Sequence, residues 1–180
     1  MMRSWPVIAA MVLVLGGLSV VAGYEMAPPG AAAWREIAWP FPRDGWPAGR
    51  AFRCGSAECG GDVEVYLRPK LGFCNCDSGV ADDDEVDRVA DVDMISPRFV
   101  PLNTGDIVAV ADMPGRIRAY DLEMPKGRRI AIGIAVSHRC DLMAVAAQGR
   151  GDVGRVQGAT LKFLEGREVS AWMIAAMEGR

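Results

Sequence analysis

Imidazole is almost missing from this chain: His138 is the single histidine among 180 residues. Any mechanism with imidazole as base must run through it, and in "SHRCDL" it is expected at an exposed hairpin tip. Missing too are GxSxG, a phosphate loop and a dinucleotide fingerprint, the common signatures of serine hydrolases and of nucleotide and dinucleotide sites. No C-x-x-C precedes a helix, as a thioredoxin-like redox motif would require. Clustered positive charge is absent: the net charge is −3 and "GRR" at 127–129 is too short for a nucleic-acid surface. There is no internal repeat and no low-complexity segment. Catalysis is therefore not the first expectation.

What is present begins with an export pattern. Arg3 precedes "VIAAMVLVLGGLSVVAG", a 17-residue apolar run at 7–23, and Val20 and Ala22 stand at the small-residue spacing that a signal peptidase accepts. Residues 1–23 are expected to be a signal peptide or an N-terminal membrane anchor, since the run is at the short end of what spans a bilayer. No cysteine closes the run for lipid attachment, and a lone Arg argues against a twin-arginine signal. "YEMAPPGAAA" at 24–33 reads as a linker. Residues 34–180 are enough for a single domain with its own core.

The periodicities predict an α+β domain: a mostly antiparallel sheet of five or six strands, a short middle helix, and C-terminal helices packed on one face. In "DVEVYLR", Val63, Val65 and Leu67 share one face and Glu64, Tyr66 and Arg68 the other, as a half-buried strand requires. "AFRC", "GDIVAVADM" and "GRIRAYDL" extend the sheet, and "RRIAIGIAVSHRCDLMAVAAQG" reads as two inner strands turning near 138–141. "GATLKFLEG" predicts a short helix stopped by Gly166 in a left-handed cap. Beyond it, Val169, Trp172, Met173 and Ala176 form a stripe at helical spacing. The tryptophan- and proline-rich lead-in at 34–54 is expected to lie extended over the core, its rings buried as anchors rather than exposed for sugars.

Eight acids crowd residues 77–93. Their placement predicts a helix capped by Asp82 or Asp83, with further carboxylates against its positive end. The ligand spacing of an EF-hand calcium loop is absent.

The cysteines carry most of the remaining chemistry. Cys54, Cys59, Cys74, Cys76 and Cys140 all follow the export pattern, and in an oxidising compartment disulfides are their default. Cys54 and Cys59 flank "GSAE" where they can clamp a hairpin. Cys74 and Cys76 are too close to bond each other, so one is expected to bridge to Cys140 or to the 54/59 pair. As the alternative, "GFCNC" ends the strand that begins near Val63. Cys74 and Cys76 would then face one side and, with Cys140 and His138, take copper(I) or zinc. A third reading makes a thiol enzyme of an unpaired cysteine, with His138, Cys140 and Asp141 holding the residue types of a triad.

Three functions follow in order. First is an exported disulfide-stabilised domain without a cofactor, periplasmic or otherwise extracytoplasmic, free or held at the inner membrane through residues 7–23. It would have a non-catalytic binding or accessory role whose partner is another envelope protein, not nucleic acid. A soft-metal protein and a thiol-dependent enzyme come after it.

Overall fold

Alternating apolar residues in the middle of the chain build one antiparallel sheet, described here from the computed structural model over residues 33–179 apart from Arg43, Phe73, Cys74 and Lys126. Its strands are β1 (Trp34–Ile37), β2 (Arg50–Cys54), β3 (Val63–Lys70), β4 (Phe99–Pro101), β5 (Asp106–Val110), β6 (Met113–Met124), β7 (Gly127–His138) and β8 (Asp141–Gly149). The helices are α1 (Ser56–Cys59), α2 (Asp83–Val89), α3 (Val92–Ile95), α4 (Val153–Leu164) and α5 (Arg167–Met177). The strand order is β1-β2-β3-β8-β7-β6-β4, with β5 pairing the same edge of β6 further along. The proposed signal or anchor at 1–23 and the linker up to residue 32 lie outside the described residues. Within the described residues no helix is long and apolar enough to cross a membrane.

Eight strands replace the five or six expected. The extra ones are β1 and β4, only four and three residues long, too short for a period of two to register. Both are made by their neighbours, β1 by pairing with β2 and β4 by pairing with β6.

The sheet is covered on both faces. On one, Val63, Val65, Leu67, Ile132, Ile134, Val136 and Val145 pack beneath α4 and α5, which contribute Val156, Leu164, Met173 and Met177. Each such side chain, fully buried, is worth roughly 1.5–3 kcal/mol. Of the expected α5 stripe, Met173 is fully buried while Val169, Trp172 and Ala176 are partly covered. On the other face Tyr120, Leu122, Ala131, Ala135 and Leu142 meet Val86, Val89, Ala90 and Val92 of the α2–α3 corner. That corner sits close on β7 because Gly133 has no side chain; a Cβ there would lie 3.0 Å from Ala90 and Tyr120.

Two further expectations are corrected. Gly166 does not take a left-handed cap: at φ −58° it is the N-cap of α5, and α4 begins earlier than expected, where Asp152 accepts from the Arg155 N–H. "GFCNC" does not end β3, which stops at Lys70; the chain then turns through Gly72 at φ 68°.

The lead-in tryptophans Trp34, Trp39 and Trp46 are half-buried rather than buried as expected. Trp34 stacks on Phe163 with centroids 4.4 Å apart, and Trp39 meets Phe41 and Tyr66 edge-on.

Candidate functional site

Three turns meet at one end of the sheet. The β7–β8 connection is two residues, Arg139 and Cys140, with Arg139 at φ 58°. The β5–β6 connection is also two residues, Ala111 and Asp112, both at positive φ as a tight primed turn requires. The third is the loop at 71–80, in which the Asn75 side chain accepts from the N–H groups of Asp77 and Ser78 and so shapes the turn.

A disulfide between Cys76 and Cys140 ties this loop to the β7–β8 turn across 64 residues of sequence. Hydrogen bonds flank it on both sides: the Gly72 N–H donates to Asp141 Oδ1 at 2.6 Å, and the Val80 N–H to Ser137 Oγ at 3.1 Å. Between the three turns lies an open cleft of about 260 Å³, lined among others by Cys76, Asp77, Asp112, Ser137, His138 and Arg139. The other disulfide, Cys54 to Cys59, folds α1 back on the end of β2, and Cys54 is fully buried.

His138 is not the exposed tip residue expected. It closes β7 with its side chain 24% exposed and its Nε2 3.6 Å from Glu178 Oε1, beyond the end of α5. Cys140 is bridged, and Asp141 accepts from the loop. The three triad-type residues thus make three separate contacts. Cys74 lies outside the described residues. Cys76 sits in a turn rather than on a strand, and while it is joined to Cys140 neither sulfur is a thiolate for copper or zinc. Among the described residues no group of three His, Cys, Asp or Glu is placed to hold a metal.

The acid run is used in packing. Asp82 caps α2 by accepting from the Glu85 N–H, and Glu85 reaches back to the Ala81 N–H. Asp83 accepts from the Gly105 N–H at 2.9 Å and from Arg116 at 2.6 Å, which together hold its carboxyl below the usual range. Asp87 accepts from Arg118 at 2.8 Å and from the Tyr120 hydroxyl at 2.7 Å. Burial and the neighbouring Asp87 carboxylate push that hydroxyl's pKa up.

One charged cluster escaped the sequence reading. Arg68 and Lys70, on the face of β3 taken as solvent-facing, are buried against Asp91: Arg68 Nε donates to Oδ2 at 2.9 Å and Lys70 Nζ to Oδ1 at 2.6 Å. Lys70 also donates to the Val89 carbonyl at 2.9 Å, and Arg68 to both oxygens of Asp44. Two cations thus meet two carboxylates. The alternation along β3 says nothing about what lies across from it.

Of these places, the cleft alone offers unlike chemistry in the open: a disulfide, carboxylates, an imidazole and a guanidinium. No known protein family matches the chain, and no curated protein shows significant similarity to it.

Proposed function

We propose that this chain is an exported domain of the cell envelope, periplasmic or held at the inner membrane, with a non-catalytic binding or accessory role toward another envelope protein. The observation that carries the reading is the Cys76–Cys140 bridge, which joins two loops 64 residues apart. Closing so long a loop restricts the unfolded chain strongly, a gain of roughly 4 kcal/mol by loop entropy, and it lasts only where thiols stay oxidised. The apolar run at 7–23 supports the same compartment. The cleft beside this bridge is the proposed contact for the partner, because its rim is fixed by covalent and hydrogen bonds before anything binds.

Cell fractionation with intact-mass measurement tests the assignment. The expected result is recovery from the envelope or periplasmic fraction, with a mature start between residues 22 and 34 or an uncleaved run in the membrane. Recovery of the full-length chain from cytosol with reduced cysteines would end it.

A further inference from the structure

We propose that the Cys76–Cys140 bridge is an exchangeable disulfide, able to accept two electrons from a dithiol presented at the cleft. The two disulfides of this domain differ in the features that govern exchange. Cys54 is fully buried, whereas Cys76 is exposed and lines the cleft with His138 and Arg139. A thiolate needs a path to sulfur and a leaving group whose charge is tolerated. Attack on Cys76 expels the Cys140 sulfur from a half-buried position in the two-residue turn, where the departing thiolate is not driven into the core. Attack on Cys59 would expel the Cys54 sulfur as an anion at a fully buried position, where a thiolate is disfavoured.

A partner thiolate forms a bond to Cys76 Sγ as the Cys76–Cys140 bond breaks, and Cys140 departs as a thiolate that takes a proton. The partner's second thiolate then attacks the partner's own sulfur, releasing Cys76 as a thiol and the partner as a disulfide. Two electrons and two protons pass to this chain. The reduced pair is held close, because the Gly72–Asp141 and Val80–Ser137 hydrogen bonds anchor the loop on either side of Cys76 without the bridge. Reoxidation therefore starts from neighbouring thiols rather than from an open loop.

The test uses the intact protein, with both bridges mapped before treatment. It is exposed to dithiothreitol, quenched with an alkylating agent over time and mapped by mass, while circular dichroism follows the fold. Alkylation of Cys76 and Cys140 is expected to be at least about tenfold faster than that of Cys54 and Cys59, with the native spectrum kept. A smaller ratio, or reduction only as the spectrum is lost, overturns the proposal. Absence of the Cys76–Cys140 bridge from the untreated protein would instead contradict the disulfide-stabilised reading itself, and this site with it.

Discussion

Asp91 shows how a short polar side chain can organise a covered sheet face. It sits at φ 60°, a left-handed conformation that Asp tolerates better than most residues, and from there its two oxygens serve Arg68 and Lys70 separately. Asp91→Ala would take the shared carboxylate from between two buried cations, leaving Arg68 to Asp44 and Lys70 to the Val89 carbonyl, and breaking such a cluster costs about 3–5 kcal/mol, read from urea unfolding. Arg88→Ala is the control: Arg88 is 68% exposed, its Glu85 partner is 3.9 Å away, and the expected change is within about 0.5 kcal/mol. Equal effects for the two would remove Asp91 from its assigned place. Alternation in "DVEVYLR" correctly put Val63, Val65 and Leu67 on the core face. It read Arg68 as solvent-facing because a period of two reports only that two faces differ. What covers the polar face comes from α3 and the lead-in, and no local pattern contains that. The cysteines were legible in part: the spacing of Cys54 and Cys59 marked a local clamp, while the reach of Cys76 to Cys140 depends on β8 returning beside β3.

Helix α2 was readable because its determinants are local. Asp82, Glu85 and the Val86–Val89 face lie within eight residues, and the cap forms with the expected donors. Strands β1 and β4 were not, since their existence depends on the partner strand more than on their own residues. The seat of the α2–α3 corner on β7 is equally non-local. Gly133→Ala would force a Cβ to 3.0 Å from Ala90 and Tyr120 and to 3.1 Å from Val92, so a loss of about 1–3 kcal/mol is expected from overpacking. Thermal melting measures it; an unchanged midpoint would mean that the corner is free to lift. Gly158→Ala is the useful contrast, because nothing lies within 4 Å of its added methyl and alanine favours the helix.

Across the molecule, several carboxylates are paired with arginines, and this shapes how stability depends on pH. Arg50 beside Glu36 and Arg68 beside Asp44 hold those carboxyls below their usual range. The Gly105 N–H and Arg116 do so for Asp83. Burial raises Glu64, but the Tyr66 hydroxyl and Arg53 outweigh it and the net direction is down. All four therefore bind protons more weakly in the folded chain than in the unfolded one. Their contribution is complete above the unfolded carboxylate range near pH 3.9–4.3 and is lost as pH falls through the lowered folded values. Urea midpoints should agree at pH 7 and pH 5.5 and drop at pH 3; a midpoint that held or rose at pH 3 would contradict the assignment.

The central claim is that the native domain carries two disulfides, one local and one joining distant loops. Peptide mapping of the non-reduced protein, alkylated at once on recovery from the envelope fraction, tests it most directly. The account predicts linked peptides for Cys54–Cys59 and Cys76–Cys140, with Cys74 the one alkylated cysteine. Alkylated Cys76 and Cys140 in the native protein would contradict it.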